Sequence, residues 1–271
     1  MILTDYILAN KYKIIKIITK STFSTLYEAE HIIKKHKVAI KLETDEISKK
    51  LLDHEIKMYL YLKKGKDKIN IPEIKYIGIY ENYKYIVMEL LDKNLKQKID
   101  DGVSKYEFIV IINQLFTLIK SFHLRNLLHR DVKPQNFIFD TYGDLCIIDL
   151  GLSCYNHGRE MQTFIGNKLY ASYTCHLDNY IYTKTDDIIS IIYMLLHLYT
   201  GLLPWSNTQI NYKIKYECNF DNYYKLHNKY DDIVELLVYM YNNLNNKYFY
   251  NNINIKIIDL VAIYDGKTER K

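Results

Sequence analysis

Glycine and proline are scarce in this 271-residue chain, at 9 and 3. That excludes a collagen-like repeat, a glycine-rich linker and a proline-rich extended segment. Arginine is scarcer than its partner cation: Arg125, Arg130, Arg159 and Arg270 leave lysine as 33 of the 37 basic residues. The four cysteines, Cys146, Cys154, Cys175 and Cys218, form no CxxC pair. They give no zinc or disulfide framework and point to a reducing compartment, cytoplasmic or nuclear. Met1 to Asp5 carry no basic segment leading into a long apolar run, so a secretory leader is not expected. A membrane span needs about 20 mostly apolar residues. The most apolar stretch, Ile188 to Trp205, is broken by Ser190, His197, Thr200, Gly201 and Pro204 and reads as a buried core helix.

What is present is the balance of a globular protein, 48% apolar and 25% charged, with a net charge of +5. Tyrosine is high at 28, alongside abundant lysine, isoleucine and asparagine. This is the signature of A/T-rich codons, so neither the tyrosines nor the lysines argue for nucleic-acid binding. Residues 11–42 and 74–91 read as strands, with a polar turn at Glu81-Asn82. Between them, Ile47, Leu51, Leu52, Ile56, Tyr59, Leu60 and Leu62 recur at helical spacing over 47–63. Phe108, Ile111, Ile112, Leu115, Phe116, Ile119 and Phe122 mark a second helix over 104–124. Short strands follow around Phe137-Ile138-Phe139 and Cys146-Ile147-Ile148. Beyond 185 the chain is mostly helical, and 211–255, rich in Asn, Tyr and Lys, is the least readable part. The pattern predicts an α+β protein of two lobes: a small β-rich lobe with one helix, then a larger, mainly helical one.

The chemistry is concentrated in His129-Arg130-Asp131-Val132-Lys133-Pro134-Gln135-Asn136, followed thirteen residues later by Asp149-Leu150-Gly151. Transfer of a γ-phosphoryl group to a hydroxyl needs positioning, charge neutralisation and a proton acceptor. Asp131 can accept the hydroxyl proton, and Lys133 can neutralise the moving phosphoryl. Asn136 and Asp149 offer oxygen ligands to a hard cation such as Mg²⁺. Lys41, in Val38-Ala39-Ile40-Lys41, can hold the ATP phosphates, with Glu55 as its ion-pair partner.

This constellation resembles the eukaryotic protein kinases. Met88-Glu89-Leu90-Leu91, Gly166-Asn167-Lys168-Leu169-Tyr170-Ala171-Ser172, His176-Leu177, Asp186-Asp187-Ile188-Ile189-Ser190 and Gly201-Leu202-Leu203-Pro204-Trp205 resemble the casein kinase 1 family, with the vaccinia-related kinases as relatives. The resemblance implies a protein-kinase-like bilobal fold in a single domain, with an N-lobe over 1–88, a hinge over 89–92 and a C-lobe over 93–271. It places Met88 behind the adenine, Glu89 to Leu91 at the hinge, and Ala39 and Ile138 on either side of the ring. Ile18, Ser21 and Leu26 face the nucleotide, and Asp187 holds the catalytic-loop backbone. It implies ATP and Mg²⁺ as cofactors, Ser/Thr side chains of proteins as acceptors, and a monomer without membrane or nucleic-acid partners.

The chain departs from that pattern in places. Thr19, Ser21 and Ser24 occupy the three glycine positions of the phosphate loop, Ile18 to Tyr27, which implies weakened ATP binding. A scaffold that binds nucleotide weakly is therefore the alternative function. Leu150 replaces a phenylalanine, and Asn167 stands where the family has a threonine that bonds the catalytic Asp and Lys. Leu169 stands in place of an arginine, so the family's preference for acidic or phosphorylated acceptors is not expected here.

Overall fold

The computed structural model describes residues 5–21, 24–43, 46–65, 68–158, 160–161, 163–206 and 212–268. Met1 to Thr4, Thr22 and Phe23 of the phosphate loop, Arg159, Arg270 and the side chain of Ile47 lie outside them. In chain order the elements needed below are β1 (Ile7–Leu8), β2 (Tyr12–Lys20), β3 (Ser24–His31), β4 (Lys37–Glu43), α1 (Glu46–Lys63), β5 (Ile74–Tyr80), β6 (Tyr83–Glu89), α2 (Leu95–Asp100), α3 (Lys105–Leu124), β7 (Leu127–Leu128), β8 (Phe137–Phe139), β9 (Leu145–Ile147), α4 (Lys184–Thr200), α5 (Tyr212–Glu217), α6 (Phe220–Leu226), α7 (Asp232–Asn242) and α8 (Phe249–Thr268). A β-rich lobe and a helical lobe are thus both present, as the pattern of the sequence predicts.

Two compact units form: residues 1–92 with 138–152, and residues 93–137 with 153–271. The first unit is not contiguous. The β8–β9 hairpin joins it through Asp92 N–H to the Phe139 carbonyl, at 2.9 Å, and Ile147 N–H to the Asn70 carbonyl, at 3.0 Å. A linear division of the chain at 89–92 does not capture that membership.

The first unit is built on an antiparallel sheet of order β1-β2-β3-β4-β6-β5. Side chains alternate faces along a strand. Tyr27, Ala29, Val38, Ile40, Leu42, Tyr85 and Val87 therefore share one face, and with Leu8, Tyr12 and Ile14 they form a buried core. The register Leu26↔Lys41, Glu28↔Ala39, Ala39↔Met88 and Lys41↔Ile86 puts those residues together on the other face. In α1 the buried side chains Leu52, Glu55, Ile56, Tyr59 and Leu62 recur every three or four residues, so Glu55 belongs to the inward stripe.

The second unit is helical. Ser104 caps α3: its hydroxyl accepts from Glu107 N–H while the Glu107 carboxylate accepts from Ser104 N–H. Such a box contributes about 1 kcal/mol. Phe108, Ile111, Ile112, Leu115, Phe116, Ile119 and Phe122 are all buried along α3. By length and composition α3 could cross a membrane, but most of its apolar window is buried in this unit, as a core helix requires. The stretch beginning at Ile188 is buried along α4 and stops at Gly201, whose φ of 75° supplies the left-handed C-cap. Four helices, α5 to α8, occupy most of the segment that the sequence left unread.

Candidate active site

The first unit assembles the phosphate-holding group. Lys41 leaves the β4 face opposite the core, and its Nζ lies 2.6 Å from Glu55 Oε2 and 3.0 Å from Asp149 Oδ1. Glu55 is buried, so it is not a solvated helix charge. Burial works against the Lys41 ammonium, but the Glu55 and Asp149 carboxylates outweigh it and hold its pKa above the ordinary lysine value. The side chain stays cationic at every working pH, as a phosphate ligand must.

Tyr59 completes this group and was not singled out by sequence. One helical turn beyond Glu55, it hydrogen-bonds the Glu55 carboxyl, and its hydroxyl accepts from Asp149 N–H at 3.2 Å. The only signal was its spacing of four from Glu55 on the buried stripe. Asp149 adopts a left-handed φ of 58°, a conformation that a non-glycine residue keeps only when its surroundings impose it. The Tyr59 hydroxyl and Lys41 provide that constraint. Leu150, in the phenylalanine position, is fully buried and packs.

The residues expected around the adenine also fall in the first unit. Ala39 and Met88 are cross-strand partners, both buried, and Leu26 shares their face beside Lys41. Ile138 is half-buried in β8, and Leu91 follows the end of β6. Ile18 is exposed near the end of β2. Glu89 N–H is already donated to the Glu73 carbonyl at 2.9 Å, which leaves the Glu89 carbonyl as its group for a ligand.

The phosphate loop uses its serines on itself. Ser21 Oγ donates to the Ser24 carbonyl and accepts from Ser24 N–H, each at 3.1 Å, and Ser21 N–H donates to the same carbonyl at 2.9 Å. The hydroxyl thus caps its own turn rather than standing ready for phosphate, and Ser24 N–H is taken as well. Replacing both by glycine is expected to free the N–H of residue 24 and lower the KM for ATP a few-fold; an unchanged or higher KM in a steady-state titration counts against this account.

The second unit holds the transfer group. Pro134 fixes the first residue of a 3₁₀ turn over Pro134–Asn136, and the turn brings Asn136 back onto Asp131. Asn136 Nδ2 donates to the Asp131 carbonyl at 2.7 Å and to Asp131 Oδ2 at 3.1 Å. Lys133 Nζ donates to the same Oδ2 at 2.5 Å. With Nδ2 so used, the Asn136 Oδ1 oxygen is the atom left for a hard cation. An amide oxygen is a type of donor that suits Mg²⁺, and so is the Asp149 carboxylate of the first unit.

Beneath this loop lies Asp187. Its Oδ2 accepts from His129 N–H at 2.9 Å and meets His123 Nε2 at 3.0 Å. Its Oδ1 accepts from Arg130 N–H at 3.0 Å and from the Tyr182 hydroxyl at 2.7 Å. The structure thus gives Asp187 the backbone-holding place expected of it. Arg130 sits at a φ of 70°, and Asp187 is the group that pins it there. His129 is buried behind the loop, and its Nδ1 accepts from Asp131 N–H at 3.2 Å. His123 and Tyr182 carry no sequence signal beyond their polar type.

Asn167 differs from expectation. Its Oδ1 accepts from Leu169 N–H at 2.9 Å and Tyr170 N–H at 3.3 Å, so it caps its own turn instead of bonding Asp131 and Lys133. Gly166 beside it has a φ of 104°, and a Cβ there would lie 2.2 Å from the Arg130 carbonyl oxygen. Gly166 is therefore seated directly against the catalytic loop.

Among the described residues no cluster of three His, Cys, Asp or Glu side chains could hold a metal. A protein kinase domain family model matches residues 12–259. The ion pair on Lys41, the aspartate bonded by its neighbouring lysine and asparagine, and that match agree: the chain belongs to the protein kinase family, phosphotransferases that use ATP and a divalent metal to modify proteins.

Proposed function

We propose that the chain is an active serine/threonine kinase of the casein kinase 1 type. The observation that carries this reading is Lys133 Nζ at 2.5 Å from Asp131 Oδ2, two residues along the same loop. A cation there can follow the phosphoryl group to an aliphatic hydroxyl. Lys41, held by Glu55, grips the ATP phosphates, while Ala39, Met88, Leu91 and Ile138 enclose the base and the Glu89 carbonyl accepts from it. Asn136 and Asp149 would each offer an oxygen to Mg²⁺, whose chemistry would be to neutralise phosphate charge. Asp131 orients the acceptor hydroxyl and takes its proton late. The new bond forms between the acceptor oxygen and the γ-phosphorus as the bond to the bridging β,γ-oxygen breaks, and ADP leaves with the displaced electron pair.

The scaffold alternative is not favoured, because Lys41 is ion-paired with Glu55 and Asp149 within one unit, and Asp131 is bonded by Lys133 and Asn136 within the other, despite the glycine-free loop. The free state of all four cysteines supports a reducing, intracellular setting, where the chain acts as a monomer. The test is a set of three peptides identical except for Ser, Thr or Tyr at one position. Transfer to Ser and Thr with none to Tyr is expected, and comparable transfer to Tyr overturns the assignment.

A further inference from the structure

Lys215, on α5, is 0% exposed. Its Nζ donates to the Lys168 carbonyl at 2.7 Å and the Ala171 carbonyl at 2.6 Å, and lies 3.3 Å from His176 Nε2. The ring centroids of Trp205 and Tyr193 are 5.3 and 5.9 Å from it. No carboxylate pairs with it among the described residues, and burial pushes its pKa down to about 7, with Cys175 acting weakly the other way. Burying an amine without a carboxylate partner is costly, and an apolar side chain of equal size would fill the same space at lower cost. The amine is therefore to be explained by what it grips.

It grips the segment that follows Gly166, the glycine seated beside the catalytic loop. Trp205 Nε1 donates to the Leu169 carbonyl at 2.8 Å. Together, Lys215 and Trp205 occupy the carbonyls of residues 168, 169 and 171, while Asn167 holds the N–H groups of 169 and 170. At the upstream end Gly166 abuts the Arg130 carbonyl. At the downstream end Asp186 Oδ1 accepts from Ser172 Oγ at 2.5 Å and Thr174 Oγ1 at 2.6 Å. The segment is tied at both ends and clamped in its middle from below.

We propose that Lys215 is a positioning residue for the protein acceptor: by clamping residues 168–171 it fixes the surface, starting beside Asp131, on which the acceptor chain lies. This rests on the protein-kinase reading above and adds the residue that shapes its acceptor site. Lys215 touches neither nucleotide nor acceptor; it acts through the backbone it holds. Its Nζ protons are committed to carbonyls, so it is not a ligand for acidic acceptor side chains.

The test compares Lys215→Met, Lys215→Arg and Trp205→Phe with the unaltered chain. Three quantities are measured: the KM for a protein acceptor, the KM for ATP, and ATP hydrolysis without acceptor. Lys215→Met is expected to raise the acceptor KM about tenfold, the effect of losing one to two hydrogen bonds. The ATP KM and the hydrolysis rate should stay within about twofold, since uniform acceptor binding alone is removed. Lys215→Arg should recover part of the loss, and Trp205→Phe should show a smaller shift of the same kind. An unchanged acceptor KM in folded Lys215→Met overturns the proposal, as does a parallel fall in ATP hydrolysis, which marks a purely structural role. If Lys215→Met does not fold, an unchanged acceptor KM in Trp205→Phe overturns it. Absence of any Asp131-dependent transfer in the unaltered chain removes the kinase reading itself, a distinct readout.

Discussion

Asp131→Asn is expected to lower kcat for protein phosphorylation by about a hundred- to ten-thousand-fold, the range of a lost general base, and to leave ATP binding unchanged. The reasoning is local. Asp131 receives Lys133 Nζ and Asn136 Nδ2 on one oxygen, Oδ2, so its carboxylate is oriented by the protein before any acceptor arrives. Asparagine keeps the shape but cannot take a proton. The nucleotide-holding side chains Lys41, Glu55 and Asp149 lie in the other compact unit, where they bond one another. The loss should therefore fall on kcat, and titration calorimetry with ATP should give the same affinity for both proteins. A comparable fall in ATP affinity would contradict the division of labour.

Asp187→Ala is expected to destabilise the protein by about 3–5 kcal/mol, as breaking a buried charged network does. The substitution strips partners from His129 N–H, Arg130 N–H, His123 and the Tyr182 hydroxyl at once. It also releases the strained backbone of Arg130, so activity should fall in the surviving folded fraction. The pH dependence has a definite sign. Burial alone would push the Asp187 carboxyl up. The hydrogen bond from His123, the electrostatic influence of His123 and His129, and the Arg130 N–H outweigh it, so the folded pKa lies below the ordinary value. A carboxyl with a depressed folded pKa stabilises the protein above its unfolded pKa, near about 3.9, and loses that contribution as pH falls toward the folded value. The stability gap between the two proteins in urea denaturation should be full at neutral pH and narrow below about pH 4; a gap that widens on acidification would contradict the network.

Much of this was legible in the sequence because it is local. Asp131, Lys133 and Asn136 lie within one turn-forming string, and Pro134 dictates how that string folds back. The inward stripes of α1 and α3 follow from periodicity alone, and so does the alternation that puts Lys41 and Ala39 opposite the core. What was not legible is long-range or hidden by composition. Asp149 meets Tyr59 across 90 positions, and Lys215 reaches Lys168 across 47. Nothing in a linear string marks such pairs. The abundance of lysine and tyrosine hid them further: discounting both types as compositional bias is sound for the exposed majority, yet Tyr59, Tyr182 and Lys215 are buried and committed. The serines of the phosphate loop act locally: a hydroxyl three residues from an open carbonyl bonds it first.

The central claim is that this chain moves the γ-phosphoryl group of ATP onto serine and threonine hydroxyls of proteins with the side chains named here. The most direct measurement incubates the purified chain with γ-labelled ATP, Mg²⁺ and casein, and identifies the labelled amino acid, with Lys41→Met alongside. The account predicts labelled phosphoserine or phosphothreonine that scales with the unaltered chain and vanishes with Lys41→Met. Label that is absent although ATP binds, or that persists undiminished with Lys41→Met, would contradict it.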